Sequence, residues 1–518
     1  MTVFDAVDGA IRAHLAELRK PGVLTARPGY RFANGWITRE PAVVVTAGPG
    51  ADVRAIPSRV GGYPTDVRTA SRAEVLRHSD PRGFAEALDA APARSWPAYF
   101  PLERDVATGA TLPRPAAAKP TVPYSPPAGA TLAPVRDRMS LTCSASPDSG
   151  WTVLSAFLAA TRQALTVGMY DFTSAHVLAA LKAALSAPRR LSLVLDDPPR
   201  NPAADQSDDE TAAALAALLG DRQSFAWAAE ASDPHVARAV FPNAYHIKVA
   251  VRDHEALWLS SGNWNNANQP VIDPWGDPSG AAAIAARSDR DWHVVVEHPG
   301  LARTLETYLL HDLEVAKGLQ AGGVRGTREA AAAALLGPEA AALPGTPPLR
   351  FHRPLRLEDQ VIDVRPVLTP DAGAGNYAER LLELIDSATE RLYVQTQYVH
   401  PPQAGEDAPF GALVEAVGSK MKAGLDVRVI LGEHETAPYL EKLQEAGWDM
   451  GLVRIQRGVH NKGFVVDSRA VAVGSQNWSG DGALRNRDAT LVIRDPRAAQ
   501  YFEQILVEDW EGQARQRV

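Results

Sequence analysis

Two stretches of the chain, AYHIKVAVRDHEALWLSSGNW (244–264) and GVHNKGFVVDSRAVAVGSQNW (458–478), carry the same polar residues in the same places. His246, Lys248, Asp253, Ser261 and Asn263 each recur 214 positions later as His460, Lys462, Asp467, Ser475 and Asn477. A shared offset of this kind marks an internal duplication, so the fold must be one that a single chain can build twice. The likeness extends outward. LSLVLDD (191–197) parallels VRVILGE (427–433), both short β-branched runs suited to buried strands. HPGLARTLETYLLHDLE (298–314) runs without a gap against DPRAAQYFEQILVEDWE (495–511), each with helical spacing of apolar residues. Helical patterns at GWTVLSAFLAAT and NYAERLLELIDSAT precede a strand-like run in each copy.

Strand–helix alternation in each copy predicts an α/β fold, two units in tandem with helices covering the sheets. Asp253 and Asp467 fall where a strand ends, each followed by a second strand-like run, ALWLSS or AVAVGS. The expectation is a hairpin whose return strand brings Ser and Asn back beside the outgoing His and Lys, which share a face at i and i+2. An Asp at a strand end usually holds a turn, and that supporting role is expected of both.

At 518 residues the chain exceeds one ordinary core. The expected division is an amino-terminal accessory domain over 1–100, a linker over 101–136 with eight prolines, a first unit over 137–327, a second linker over 328–358, and a second unit over 359–518. The first hundred residues open on a helical pattern, continue with strand-like runs such as YRFANGWI and PAVVVTA, and carry no recognisable chemistry. Gly61 and Gly62 lack the lysine and following helix of a phosphate loop.

A composition of 45% hydrophobic and 22% charged residues is that of an ordinary globular protein. A net charge of −8 argues against a protein that coats nucleic acid. The single Cys143 excludes an intramolecular disulfide framework and a cysteine-rich metal site. The opening twenty residues lack a basic region followed by an apolar core, and no run of about 18 apolar residues occurs, so a cytoplasmic location without an integral membrane segment is expected.

Two His/Lys/Asn clusters suit attack on a phosphodiester. One neutral imidazole can attack phosphorus while a second, protonated, gives its proton to the departing oxygen. With an ordinary pKa near ~6.5, histidine can fill either role at neutral pH. Two lysines and two asparagines around the phosphoryl oxygens supply transition-state charge stabilisation, one such donor being worth roughly 3 to 4 kcal/mol. On this reading no metal and no other cofactor is required.

The pattern His-x-Lys-x4-Asp, then six residues and Gly-Ser-x-Asn, resembles the signature of the phospholipase D superfamily. The second copy matches at His460, Lys462, Asp467, Gly474, Ser475 and Asn477; in the first, Ser260 stands in place of the glycine. The resemblance spans roughly residues 137–518. It implies that both copies form one site across a pseudo-two-fold interface, that His246 is the nucleophile and His460 the general acid, and that an acidic residue downstream of each Asn, here Asp291 and Asp488, orients a catalytic histidine. One chain then suffices for an active site, and no obligate protein partner is implied.

Trp264 and Trp478 are expected to be packing residues, and His254, His293 and His434 to be incidental. From Trp264 to Asp291 is 27 positions, against 10 from Trp478 to Asp488, so the first unit carries 17 extra residues beside its Asn. This insertion has three Asp against two Arg and holds Trp275 among turn formers, which makes Trp275 a candidate for the lip of the substrate cleft. An uncharged lip favours a phospholipid substrate, hydrolysed or, with an alcohol in place of water, exchanged at its headgroup. A nuclease acting on single-stranded ends is the alternative. A silent binding scaffold is a third reading, opposed by the intact His and Lys of both copies.

Overall fold

A computed structural model describes residues 2–84, 98–113, 124–196, 204–228, 240–241, 244–320, 350–371, 376–402 and 407–518. The duplication is written into its main sheet. Fourteen strands run in one sheet whose order, from one edge, is 453–456, 426–432, 391–396, 462–466, 470–474, 488–494 and 355–369, then 135–146, 291–297, 256–260, 248–252, 164–169, 190–195 and 223–227. The second seven repeat the first seven in reverse, which is the arrangement of two α/β units related by a pseudo-two-fold. The units join where Leu355–Thr369 pairs antiparallel with Val135–Ser146, for example Val364 opposite Val135 and Leu357 opposite Leu141.

In each unit the repeated motif is a hairpin. Lys248–Arg252 pairs with Ala256–Ser260, and Lys462–Val466 with Ala470–Gly474, every one of these residues buried save Arg252. The turns need left-handed backbone: Asp253 and His254 have φ of 55° and 60°, Asp467 and Ser468 of 50° and 55°. Asp is among the few side-chain residues that tolerate this region. Its carboxylate also caps the neighbouring strand. Asp253 accepts from the backbone N–H of Arg162, Gln163 and Ala164 at 2.9, 2.7 and 3.0 Å. Asp467 accepts from those of Thr389, Glu390 and Arg391 at 3.0, 2.9 and 2.8 Å. Both aspartates are therefore turn residues that hold the entry of the adjacent strand. Trp264 and Trp478 are fully buried, the former edge-on to Phe172 and the latter stacked on Phe464.

The amino-terminal block has its own five-stranded sheet, built on a long hairpin of Val23–Ala33 and Trp36–Ala47. The run YRFANGWI straddles the turn of this hairpin, with Asn34 and Gly35 at φ 54° and 76°. The stretch 101–136 is not wholly a connector: Asp105 pairs with Thr25, Val106 is buried in the amino-terminal core, and a main-sheet strand starts at Val135. Likewise a strand begins at Leu355, inside the expected linker 328–358, most of which lies outside the described residues. The block docks on helix Ala437–Glu445 of the second unit, where buried Arg27 and half-buried Arg68 both reach Glu441 and Trp36 Nε1 donates to the carbonyl of Met450 at 3.2 Å.

Candidate active site

The two histidines precede the outgoing strand of each hairpin, at the seam between the units. His246 is 6% and His460 8% exposed, so each ring keeps a narrow opening to solvent. Each imidazole is held by the carboxylate of the other unit. His246 Nδ1 donates to Asp488 Oδ1 at 2.8 Å, and His460 Nδ1 donates to Asp291 Oδ1 at 2.9 Å. The serines of the motif support the carboxylates: Ser261 Oγ donates to Asp291 Oδ1 at 2.7 Å and Ser475 Oγ to Asp488 Oδ1 at 2.6 Å. Lys248 Nζ reaches back to the carbonyl of His246 at 2.5 Å, and Lys462 Nζ to that of His460. Asn263 and Asn477 each leave a buried side-chain oxygen without a hydrogen-bond partner among the described residues. With both Nδ1 atoms committed, any chemistry of the rings falls to Nε2.

The charges are finely set. Burial pushes Lys248 well below the usual lysine range, and neighbouring Lys462 adds to this while Asp488 and Asp291 oppose it. Burial likewise drives His460 down to about 4, with Lys462 acting in the same sense and Asp291 against it.

The two carboxylates differ. Burial tends to raise Asp291, but the pull of His460, Lys462 and His293 prevails and brings it down to about 2. Its Oδ2 also accepts from Asn268 Nδ2 at 2.9 Å. Asp488 is pushed by burial up to about 7, and its Oδ2 is buried with no hydrogen-bond partner among the described residues. The cause is local: Gly482 occupies the turn that matches Asn268, and a Cβ there would meet the carbonyl oxygen of Asn477 at 2.2 Å, so no side chain can supply the missing donor.

Residues 381–510 match the protein family described as "Cardiolipin synthase, PLD-like domain". This match and those that follow support the phospholipase D superfamily for this chain. A cardiolipin synthase A of Pseudomonas putida is 32% identical over 26% of this chain and 28% of its own length. A phospholipase D of Rickettsia felis is 27% identical over 26% of this chain and 64% of its own length. The chain thus spans less than two thirds of either relative. Among solved structures, phosphatidylserine synthase of Haemophilus influenzae Rd KW20 matches with a TM-score of 0.49 and 15% identity, over 74% of this chain and 90% of that one. No helix among the described residues is long and apolar enough to cross a membrane.

The structure adds to the sequence reading at three places. His293 is not incidental: it is fully buried, its Nε2 donates to Ser146 Oγ at 2.8 Å, and its Nδ1 accepts from Ser260 Oγ at 2.6 Å. The tautomer follows from Ser146, whose own proton goes to the carbonyl of Asn268 at 2.5 Å. Ser260 in place of glycine is thus matched by His293 opposite it, where Gly474 faces Thr490 in the second unit. Second, Trp275, the candidate for the lip of the cleft, packs with Arg353, whose guanidinium lies 4.4 Å over its ring. The insertion that bears it folds in part as helix Pro278–Ala285. Third, Asn268 was missed, although it lies four residues past Trp264 in a run of four Asn within six positions, Asn263, Asn265, Asn266 and Asn268, with Gln269 next. Its Oδ1 accepts from the N–H of Asn263 at 2.9 Å, so it joins the motif's Asn to Asp291. His254 sits at its hairpin turn beside Glu306, away from the seam.

Proposed function

We propose that the chain is a phosphodiesterase of the phospholipase D type that cleaves a phospholipid, or exchanges its headgroup when an alcohol replaces water, through a covalent phosphohistidine. The observation that carries this reading is the crossed pair of Nδ1–carboxylate bonds, which presents one imidazole from each unit with two lysines and two asparagines around them. In the first step His246 Nε2 attacks phosphorus, the ester P–O bond breaks, and His460, which must take up a proton at Nε2 as the diester anion arrives because burial holds it down to about 4, gives that proton to the leaving oxygen. In the second, water or an alcohol attacks the same phosphorus, His460 takes up its proton, and the P–N bond breaks. Lys248 and Lys462 with Asn263 and Asn477 stabilise the charge on the phosphoryl oxygens. The names of the relatives and the nearly neutral insertion support a lipid substrate; the amino-terminal block, 1–100, stays an accessory part of this reading, and a cytoplasmic location goes with it. No cofactor enters this scheme.

The test is a substrate panel on the purified chain: bis(p-nitrophenyl) phosphate as a reporter, phospholipid vesicles, and short single-stranded oligonucleotides. Cleavage of reporter and vesicles without cleavage of oligonucleotides is expected. The reverse pattern assigns the site to a nuclease, and it would weaken steeply with salt, as binding through several phosphates does.

A further inference from the structure

Arginines stand directly before both site carboxylates, and each sends its side chain into the other unit. Arg290 donates Nε and Nη2 to Asp509 at 2.9 and 3.1 Å, and Arg487 donates Nε and Nη2 to Asp312 at 2.8 and 2.9 Å. Asp312 and Asp509 lie on the last helix of their units, Pro299–Gln320 and Pro496–Gly512. The backbone repeats the crossing. Arg290 N–H donates to the carbonyl of Gly458, two residues before His460, at 2.5 Å, and Arg487 N–H to that of Ala244, two residues before His246, at 3.0 Å. Each Arg–Asp dipeptide therefore grips the opposite unit three times: by its amide, by its guanidinium and by its carboxylate.

We propose that Arg290 and Arg487 are positioning residues, whose forked ion pairs with Asp509 and Asp312 fix the dipeptide and so the Nδ1–carboxylate bond that aims His460 and His246. This deepens the reading of the two histidines as the reacting groups and rests on it. Adhesion alone would not call for such pairs. All four side chains are buried, and a buried ion pair generally holds surfaces together no better than apolar residues of similar volume. What a bidentate guanidinium–carboxylate pair adds is a fixed distance and angle. Successive residues of an extended chain point to opposite faces, so the arginine faces the neighbouring helix while the aspartate faces the histidine, and neither can shift without the other. The two braces are unequal. Arg290 Nη1 also donates to Asp148 at 2.6 Å and to the carbonyl of Ser146 at 3.0 Å, whereas Arg487 is flanked by the rings of Tyr124 and Phe241, each 5.1 Å from its guanidinium carbon.

That apolar flank makes the Arg487 brace removable. Arg487→Met with Asp312→Leu deletes both charges at once and leaves no uncompensated ion. The readout is the low-field imidazole N–H resonance of each histidine that donates to a carboxylate, recorded on the whole chain with labelled histidine and assigned through Asp488→Asn and Asp291→Asn. The signal of His246 is expected to move or to be lost to exchange while that of His460 stays. In parallel, kcat on the activated diester should fall roughly 100-fold with KM altered by less than about twofold. Arg487→Lys, which keeps the charge but loses the fork, should give the same spectral change in weaker form, and serves if the double variant does not fold. Both signals unmoved, both lost together, or either missing from the unmodified chain overturns the proposal. An unmodified chain that shows both signals yet cleaves no diester counts against the functional reading, and the spectra still decide the brace.

Discussion

Asparagine at position 291 should be far more damaging than asparagine at position 488, although the two aspartates hold equivalent places. Asp291 takes donors on both oxygens: His460 Nδ1 at 2.9 Å and Ser261 Oγ at 2.7 Å on Oδ1, and Asn268 Nδ2 at 2.9 Å on Oδ2. Whichever way an amide is turned there, its NH2 confronts a donor. Asp488 takes His246 at 2.8 Å and Ser475 at 2.6 Å on Oδ1, and its Oδ2 has no partner among the described residues, so an amide nitrogen fits the vacant side. Both substitutions weaken one charge-assisted bond to a histidine, by about 1.5–3 kcal/mol. With Asp488 up to about 7 and so already partly protonated near neutrality, its loss lies at the lower end. Asp488→Asn should then lower kcat roughly 10-fold, at about 1.4 kcal/mol per decade. Asp291→Asn adds a buried bond left unmade, about 1–3 kcal/mol more, divided between kcat and stability. The assay is release of p-nitrophenolate from bis(p-nitrophenyl) phosphate together with urea unfolding of each variant. Equal summed effects at the two positions, or a larger one at 488, would refute the reasoning.

Three further outcomes follow from the site. After mixing with the activated ester, intact mass spectrometry of His460→Ala should show an accumulated phosphoryl adduct, since p-nitrophenolate leaves without a proton and the base of the second step is gone; His246→Ala should show none, and the opposite pattern reverses the roles. Cleavage of the same ester should survive EDTA, because Lys248 and Lys462 stand where a divalent cation would act; activity lost to EDTA and restored by magnesium would sink the two-histidine route. Stability should fall on acidification from pH 6 to 5. His460 and His293 at about 4 and His400 at about 3 are depressed below the unfolded value of ~6.5, so the stability they contribute is lost as pH drops through that window. Asp488 at about 7 and Glu435 at about 8 are raised and act in the opposite sense. Among these five groups, three against two leaves just under one proton, or about 1 kcal/mol per pH unit, with lowered His176 and His352 adding to the loss and raised Asp148, Asp312 and Glu445 opposing it; a urea midpoint that rises on acidification would contradict it.

The repeated cadence made much of this legible in the sequence. A period-two strand pattern and a shared offset place His, Lys, Ser and Asn on a hairpin, and the same pattern marks Asp253 and Asp467 as turn residues. The crossing was not legible, since nothing in the order of residues says that Asp291 serves His460 rather than its own unit's His246; only the pairing of the units across the seam decides that. A signal for the braces did exist. Arg290 and Arg487 share the offset of 197 with Asp291 and Asp488, and so do Asp312 and Asp509. Reading it requires knowing that a helix of one unit packs against a strand entry of the other. The insertion could be counted but not aimed, because an exposed tryptophan between turn formers has no periodicity to fix its direction, and in the fold Trp275 turns to Arg353.

Val135–Ser146 and Leu355–Thr369 join the halves into one continuous sheet within one chain, and this has a consequence for inheritance. In a symmetric pair of identical subunits every substitution is written twice, and a change that suits one histidine is imposed on the other. Here each half carries its own copy of the gene segment. Ser260 faces His293 where Gly474 faces Thr490, Asn268 stands where Gly482 turns the chain, and 17 residues lengthen one side alone. Selection can therefore act on one imidazole without touching its twin, and the drift apart of two once-equal halves becomes a record of which tasks they ceased to share.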